Sequence, residues 1–244
     1  MKIDKNYMID SFDKVAKTYK NAITRVGLWD SEKDIILKYA KKNDHILDMG
    51  CGAGRCAFGI EKLGFKSIDA IDFSPAMIQE AININTSKIN FEVDDCTNIQ
   101  KESNYYGFII FSFNGLMQIP KSSNRVQALK ELYRVLKNGG ILVFTTHDRN
   151  NGNDEYKRLW HDEKIEWNSG KNDFRLHEFG DVLTYDEVDN IEYFIHIPTV
   201  DEILNTLNEV GFHLVDSFIR SKRYRENKQV YAFSDNCRFW IVKK

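Results

Sequence analysis

The feature that most constrains this chain is a short apolar stretch followed by three glycines at alternate positions. Residues 46–49 (ILDM) lead into Gly50, Gly52 and Gly54. The apolar stretch predicts a buried parallel strand, and the residues after Gly54 predict a helix. Glycines in the turn let the backbone bend sharply and approach a ligand, because no Cβ is in the way. Such strand–glycine–helix units bind nucleotide-like cofactors at the carboxyl end of a parallel sheet.

The glycine spacing narrows the class of cofactor. A dinucleotide-binding turn has the pattern G-x-G-x-x-G/A, but here Arg55 occupies the last position and is too large for close helix–strand packing. No phosphate loop of the form G-x-x-x-x-G-K-[ST] occurs in the chain. The spacing therefore favours an adenosine-like cofactor that does not depend on a pyrophosphate. An NAD(P)-dependent oxidoreductase is the alternative from another enzyme class.

Composition and charge favour a single α/β domain rather than a nucleic-acid or membrane protein. The chain has 244 residues and a formal net charge of −2, so it has no overall basic field. No apolar run approaches the ~18 residues of a spanning helix. The four cysteines show no C-x-x-C spacing and are expected to be free thiols. With no apolar signal segment at the N-terminus, we expect a cytoplasmic protein.

Strand and helix patterns alternate from residue 45 to residue 146, which predicts parallel pairing with right-handed crossovers. A helix over 199–209 and a final antiparallel strand pair follow. We therefore expect an α/β fold with a Rossmann-like, doubly wound, seven-stranded and mostly parallel sheet. The predicted strands are 44–48, 67–72, 89–93, 106–111, 141–145, 212–219 and 238–242.

We expect one domain over residues 1–244, with two additions that cover its cleft. Residues 7–39 have helical spacing, so residues 1–40 are predicted to form an N-terminal helical cover, with Tyr7, Tyr19, Arg25 and Trp29 over the cofactor cleft. Residues 149–197 form a long insertion before the last helix, much longer than the usual connection. Its predicted strands, 174–184 and 190–197, are joined by a turn at 186–189. We expect this partly β, aromatic-rich insertion to be a lid.

Acidic and polar residues follow successive predicted strands. Asp72 ends the second strand, 18 residues after Gly54, and residues 94–96 (DDC) follow the third. Residues 112–115 (SFNG) follow the fourth, and 136–140 (LKNGG) precede the fifth. This ordered set resembles the core of the class I S-adenosylmethionine (SAM) dependent methyltransferases over about residues 40–147. One departure is Gly107, where the family often has an acid.

The resemblance implies a fold, an activity, a cofactor and a set of cofactor-binding residues. It implies methyl transfer from SAM to an acceptor, with S-adenosylhomocysteine as the product. The implied cofactor-binding residues are Asp48, Gly50, Cys51, Gly52, Gly54, Asp72, Phe73, Met77, Asp95, Cys96 and Phe111.

Within that set, the resemblance implies a division of labour. Gly50 and Gly52 line the methionine part of SAM, and Asp48 supports its amino group through water. Asp72 accepts both ribose hydroxyls, a charge-assisted contact that is stronger than a neutral one. Cys51 has an alternative interpretation as a small buried thiol.

The adenine contacts implied by the resemblance lie after the third strand. Asp95 accepts from the adenine amino group and Cys96 supplies a backbone contact, while Phe73 and Met77 wall the ring. Asp94 is the alternative to Asp95, because a slip of one residue reverses which side chain faces the site. Phe73 could equally be a core residue.

Candidate catalytic residues lie at the carboxyl ends of the fourth and fifth strands. We name Asn114 and His147, with Gln118 and Arg149 as further contacts to the acceptor. His147 is the best candidate for a base, because its unperturbed pKa is near neutrality, although it could also be a satisfied polar residue at a strand end. A base is needed only when the nucleophile carries a proton at neutral pH.

The most favoured acceptor is a small molecule, and no metal is expected. The run SFNG after the fourth strand lacks the [DN]-P-P-[YF] pattern of amino methylation, and no cysteine lies there for cytosine methylation. The basic run 220–228 leaves open an RNA or protein methyltransferase, although a solvated hairpin loop is favoured. A non-catalytic SAM-binding module is a further alternative. Neither the chemistry of the acceptor nor the oligomeric state follows from the sequence.

Overall fold

The computed structural model describes residues 2–186 and 190–244. The strands are β1 (Ile46–Met49), β2 (Ile68–Asp72), β3 (Asn90–Val93), β4 (Tyr106–Phe111), β5 (Leu136–Thr146), β6 (Asp181–Asp186), β7 (Ile191–His196), β8 (His213–Ile219) and β9 (Arg238–Lys243). The helices are α1 (Lys5–Arg25), α2 (Asp30–Tyr39), α3 (Arg55–Lys62), α4 (Pro75–Ile84), α5 (Ser122–Val135), α6 (Asp154–Asn168), α7 (Val200–Val210), α8 (Arg220–Arg223) and α9 (Lys228–Ser234).

Seven strands form one twisted sheet in the order β3-β2-β1-β4-β5-β9-β8. The pairs from β3 to β5 are parallel, whereas β9 runs antiparallel to both β5 and β8. The predicted Rossmann-like, mostly parallel sheet with a C-terminal antiparallel pair is thus confirmed. The chain order reverses between β1 and β4, so their carboxyl ends border the crevice in which open α/β sheets bind ligands.

The central strands are apolar because both faces of the sheet are covered. Neighbouring residues of a strand point to opposite faces, and β1 shows this directly. Ile46 packs in a core with helices α2 to α4, whereas Leu47 packs in a second core with α5 and α7. This two-sided burial fixes the register, and with it the place where each strand ends.

Several predicted boundaries differ from the structure, and β5 starts at Leu136 rather than at 141, so that residues 136–140 belong to it. The helical region 7–39 is two helices separated by a bend at residues 26–29, which contains Gly27 with φ +63°. The polar region after residue 149 contains α6, which starts at an Asn153 cap. The first strand of the insertion starts at Asp181 rather than at 174, and residues 187–189 of the predicted turn lie outside the described residues.

Helix α1 and the β6–β7 hairpin share a small core of their own. Phe12 of α1 packs in it with Met77 of α4 and Phe194 of β7. Polar contacts reinforce the pairing, since the Ile3 amide donates to the carbonyl of Arg175 at 3.1 Å. The N-terminal helix and the insertion therefore form a joined layer over the carboxyl edge of the sheet.

A buried ion pair attaches α2 to the start of α3. The guanidinium of Arg55 contacts both carboxylate oxygens of Glu32 at 2.7 Å, and Glu32 is fully buried. Glu32 also accepts from the Trp29 amide at 3.0 Å and from the Ser112 hydroxyl at 2.5 Å. One carboxylate thus connects α2, the helix after the glycine turn and the end of β4.

Replacing Glu32 by glutamine is expected to lower the free energy of unfolding by about 3–5 kcal/mol, because it leaves the Arg55 charge buried without its partner. Urea unfolding followed by circular dichroism measures the loss. The matched control is Asp216→Asn, which breaks the largely exposed pair with Arg223 and should cost about 1 kcal/mol or less. Equal losses in the two variants would contradict the structural role of the buried pair.

Candidate active site

A cavity at the carboxyl ends of β1, β2 and β4 brings most of the predicted cofactor residues together. We call it the first cavity. The predicted residues that line it are Gly50, Cys51, Gly52, Asp72, Phe73, Met77, Asp95, Cys96 and Phe111. Asp48 and Gly54 are the two predicted cofactor residues that do not line it.

The backbone of the turn can take its shape only if Gly50 and Gly54 carry no side chain. Gly50 has a φ of +63°, and a Cβ there would lie 2.7 Å from Cε2 of Phe111. A Cβ at Gly54 would meet Phe58 at 2.8 Å and Phe91 at 3.0 Å, on the core side of the turn. Gly52, by contrast, faces the cavity, since its nearest neighbour would be Tyr19 at 3.4 Å. The turn therefore exposes its backbone to a ligand at Gly52.

Asp72 is the acid that the structure brings against the glycine turn. Its two oxygens accept from the amides of Gly52 at 2.8 Å and Ser74 at 2.9 Å. Burial raises the pKa of Asp72 to about 6, although these amide hydrogen bonds oppose the shift. Each oxygen still has a lone pair available. The carboxylate can therefore accept from two further hydroxyl groups.

Asp48 lies behind the turn rather than in the cavity. It is fully buried, and neither of its oxygens has a hydrogen-bond partner among the described residues. Burial raises its pKa to about 8, while the nearby Arg55 opposes the shift. The placement gives Asp48 no direct access to a ligand in the first cavity. Its predicted water-mediated contact stays a prediction.

The two candidate adenine acids both accept hydrogen bonds from nearby residues, and they differ in whether they line the first cavity. Asp94 is used by its own turn, where it accepts from the amides of Asp95 and Gln100, each at 2.8 Å. Asp95 lines the cavity and forms an ion pair with Lys5 at 2.8 Å. Burial alone would raise the pKa of Asp95, but Lys5 and Thr97 hold it below its usual value.

The cysteines in the cavity wall are poor nucleophiles. All four cysteines are free, as expected from their spacing. Burial raises the pKa of Cys51 and of Cys96, and the nearby acids raise both further. Because the thiolate is the reactive form, these residues contribute shape and backbone rather than reactivity.

Helix α1 supplies cavity residues that sequence reasoning missed. Lys5, Met8 and Phe12 line the first cavity together with Tyr19, and only Tyr19 was named from the sequence as lying over the cleft. Phe12 contacts Phe73 edge to face, with ring centroids 5.6 Å apart. Their helical spacing was indistinguishable from that of an ordinary core stripe, so the sequence held no signal of a ligand.

A second cavity opens beside the first, between the sheet, the β6–β7 hairpin and α9. Its volume is about 740 Å³, within the range of small-molecule sites. Both cavities are lined by Tyr19, Phe113, Gln118 and Phe233, and we call these four residues the partition. Phe233 packs against Phe113 at 5.4 Å and Tyr19 at 5.9 Å between ring centroids.

The two predicted catalytic residues are hydrogen-bonded to each other. His147 lines the second cavity, and its Nε2 lies 3.2 Å from Nδ2 of Asn114. Its Nδ1 lies 3.2 Å from the carbonyl of Asn236, which can only accept, so we assign the proton to Nδ1. Burial lowers the pKa of His147, so the ring is neutral near pH 7 and Nε2 carries the lone pair.

Three further residues that were named from the sequence make contacts with other parts of the protein. Arg149 donates to the carbonyls of Phe179 and Ile197, at 3.2 and 2.9 Å, and its predicted contact to the acceptor stays a prediction. Trp29, expected in the cover, lies buried behind the glycine turn. Arg25, also expected there, lines the second cavity.

One polar cluster in the insertion has the side chains of a metal site. Ligand atoms of Glu178, Asp181 and His196 lie within 4.8 Å of one another. Both ring nitrogens of His196 already lie beside carboxylates, at 2.8 Å from Asp181 and 2.6 Å from Glu202. These hydrogen bonds raise the pKa of His196, although burial opposes the shift. A protonated histidine fits this cluster as an internal ion network.

The basic run 220–228 is not the solvated hairpin loop that we expected. It contains α8 and leads into α9, and Arg220 is fully buried. Glu226 accepts from the amides of Asp30 and Ser31, at 3.1 and 2.9 Å, and so caps α2. Arg223 pairs with Asp216. The run is thus partly built into the fold, which leaves fewer charges for a phosphate backbone.

No helix in residues 2–186 and 190–244 has both the length and the apolar character needed to cross a membrane.

Comparisons with known proteins find similarity to methyltransferases over part of the chain. Residues 46–140 match the family described as "Methyltransferase domain". The chain is 31% identical over 160 residues to malonyl-[acyl-carrier protein] O-methyltransferase 1 of Ilyobacter polytropus, an alignment that covers 64% of this chain and 56% of that protein. It is 32% identical over 151 residues to the ubiquinone/menaquinone biosynthesis C-methyltransferase UbiE of Geotalea daltonii, covering 56% and 63% of the two chains.

A solved structure extends the likeness of fold to most of the chain. A SAM-dependent methyltransferase from Methanosarcina mazei aligns with a TM-score of 0.67 at 22% identity, and the alignment covers 86% of this chain and 96% of that one. By contrast, the chain spans only 56% and 63% of the length of the two curated relatives. The glycine turn, the acids after β2 and β3 and the family match agree. Residues 46–140 therefore resemble a methyltransferase domain, and the likeness to the solved structure is one of fold.

Proposed function

We propose that the protein transfers a methyl group from SAM, bound in the first cavity, to a small molecule bound in the second. The observation that carries the proposal is the partition, where two cavities of different character meet. One has the backbone turn and acids that suit an amino-acid nucleoside. The other is bordered by the β6–β7 hairpin of the insertion and is lined by His147, whose ring contacts the buried Asn114. The relatives named for an acyl-carrier-protein substrate and for quinone biosynthesis show that acceptor chemistry varies around a common core.

The roles proposed for the cofactor side follow from the contacts available. Asp72 accepts from the ribose hydroxyls with its free lone pairs, and Asp95 accepts from the adenine amino group. Phe73 and Met77 wall the adenine ring, while Gly50 and Gly52 allow the methionine part to approach the backbone. SAM supplies a methyl group bound to a positive sulfur. The protein's task is therefore mainly to position the acceptor and exclude water.

On the acceptor side, we propose that His147 is the base when the nucleophile carries a proton. A neutral ring with its lone pair on Nε2 can take that proton as the bond between the nucleophile and the methyl carbon forms and the carbon–sulfur bond breaks. The electron pair of the broken bond stays on sulfur. Asn114, which holds Nε2 at 3.2 Å, would release it to the acceptor. An acceptor whose nucleophile carries no such proton would need no base, and the protein would only have to position it beside the methyl group.

An RNA or protein acceptor is the second candidate and has weaker support. It relied on the basic run 220–228, in which Arg220 is buried and Arg223 is paired. The cover over the cavities, joined by Ile3–Arg175 and similar contacts, also suits a small acceptor better than a polymer. A non-catalytic SAM-binding module would share the first cavity but would not transfer the methyl group.

A transfer assay distinguishes these functions. The protein is incubated with methyl-labelled SAM and a cell extract that has been separated by size. We expect label in the low-molecular-weight fraction, and none above a no-enzyme blank in the protein and RNA fractions. Label confined to RNA or protein would overturn the choice of acceptor. Binding of SAM with no transfer to any fraction would favour the binding module.

Asp72→Asn is expected to weaken SAM binding by about 1.5–3 kcal/mol, the range for a hydrogen bond to a charged group. An amide nitrogen cannot accept, so the variant loses part of the acceptor capacity that serves Gly52, Ser74 and the ribose. Titration calorimetry measures the affinity. The matched control is Asp69→Asn at the other end of the same strand, whose acid accepts from the Tyr106 hydroxyl. Equal affinities for SAM in the two folded variants would remove the ribose assignment.

Affinity for SAM is also expected to depend on pH through Asp72. The ionised carboxylate is the form that accepts from both ribose hydroxyls, and its pKa is about 6. The affinity should therefore be steady above about pH 7 and should fall as the pH drops through 6, by up to tenfold per unit below it. Calorimetry from pH 5 to 8 tests this. In Asp72→Asn the affinity should no longer depend on pH in this range. If the pH dependence is unchanged in that variant, another group must cause it.

A further inference from the structure

Arg220 is a buried cation whose surroundings lie next to the proposed transfer site. It is fully buried, and its side chain makes hydrogen bonds to neutral groups within the described residues. Arginine is almost never buried in this way without an ionic partner. Its guanidinium carbon lies 4.5 Å from the ring centroid of Trp29 and 4.9 Å from that of Tyr231. Because burying the charge of Arg220 among neutral groups costs free energy, we look for a role of this side chain beyond packing.

The hydrogen bonds of Arg220 hold the end of α9. Nη1 donates to the hydroxyl of Ser234 at 2.8 Å, and Nη2 donates to the carbonyl of Asp235. These two residues are flanked in sequence by Phe233, which belongs to the partition, and by Asn236, whose carbonyl accepts from Nδ1 of His147. Arg220 thus fixes the backbone between one wall of the transfer site and the group that orients its base.

The Trp29 ring that contacts Arg220 also contacts the arginine that follows the glycine turn. Arg55, the first residue of α3 after Gly54, lies 4.7 Å from the centroid of the same Trp29 ring. Trp29 also packs against Phe113 of the partition, with ring centroids 5.6 Å apart. One indole therefore contacts the arginine of the cofactor side, the arginine of the acceptor side and the wall between the cavities.

We propose that Arg220 is a positioning residue for methyl transfer, which holds Phe233 in the partition and the Asn236 carbonyl against Nδ1 of His147. With Nδ1 so engaged, the lone pair of His147 stays on Nε2, toward Asn114 and the second cavity. The proposal rests on the proposed function of the second cavity as the acceptor site. Lysine cannot replace Arg220 in this role, because only a planar guanidinium can stack between two rings and also donate two directed hydrogen bonds.

The test reads the state of His147 directly and needs no acceptor. Nitrogen-15 spectra of histidine-labelled protein report which ring nitrogen carries the proton. The chain has six histidines, and a His147→Gln sample identifies the His147 signal by its loss. Wild-type protein should show the proton of His147 on Nδ1 at pH 7. In Arg220→Met and Arg220→Lys that preference should be lost in favour of the Nε2–H form.

The pKa of His147 distinguishes the loss of the positive charge of Arg220 from the loss of its hydrogen-bond geometry. Burial, Arg220, Asp235 and the Asn236 carbonyl all act on the pKa of His147, and Arg220 lowers it. Removing the cation in Arg220→Met should raise this pKa, whereas Arg220→Lys should lose the tautomer preference with a smaller change in pKa. Restoration of the wild-type tautomer by lysine would overturn the geometric role.

Arg223→Met is the matched control, because it removes an arginine of the same short helix that is exposed and bound to Asp216. Its His147 spectrum should equal that of the wild type, and a change as large as in Arg220→Met would overturn the proposal. If Arg220→Met does not fold, Ser234→Ala removes one of the two bonds and should shift the tautomer part of the way. A folded Ser234→Ala or Arg220→Met protein with an unchanged His147 would also overturn it. Failure of the wild type to bind SAM would contradict the proposed function alone.

Discussion

The buried pair between Arg55 and Glu32 is the contact on which the arrangement of this protein depends. A single carboxylate binds the arginine that follows the glycine turn, caps its own helix through the Trp29 amide, and accepts from Ser112 at the end of β4. Such a pair is weak support for stability compared with an apolar replacement, but breaking it from one side is costly. Its effect is to fix the relative positions of the turn and the strand ends.

The same pair explains how an arginine is accommodated where dinucleotide-binding proteins need a small residue. The side chain of Arg55 does not pack between helix and sheet; it runs toward α2, stacks on Trp29 and is neutralised by Glu32. The turn itself relies on Gly50, whose missing Cβ leaves room for Phe111, and on Asp72, which binds the Gly52 amide.

Much of the core could be predicted because its signals are local. Strand–helix alternation gave the parallel sheet, and Asp72 and Asp95 both line the first cavity because the ends of neighbouring parallel strands share one edge. Strand alternation alone does not say that the turn covers the carboxylate of Asp48, whose predicted contact through water stays a prediction. Sequence reasoning also missed Lys5, Met8 and Phe12, whose helical spacing is that of any core-facing helix and whose partners are remote in sequence.

The acceptor side was less predictable for a related reason. His147 and Asn114 could be named from their positions at strand ends, but their mutual hydrogen bond and the Asn236 carbonyl join three distant segments. Arg220 was assigned to an exposed basic run because a sequence shows charge and not burial. The contacts of Asn236 and Arg220 depend on where the β8–β9 connection folds back, which long-range packing decides.

The most direct measurement of the central claim is a crystal structure of the protein with S-adenosylhomocysteine. The account requires the ribose hydroxyls at hydrogen-bond distance from Asp72, the adenine beside Phe73 and Asp95, and the sulfur facing the partition and the second cavity. The compound bound elsewhere, or in the first cavity with its sulfur turned away from the partition, would contradict it.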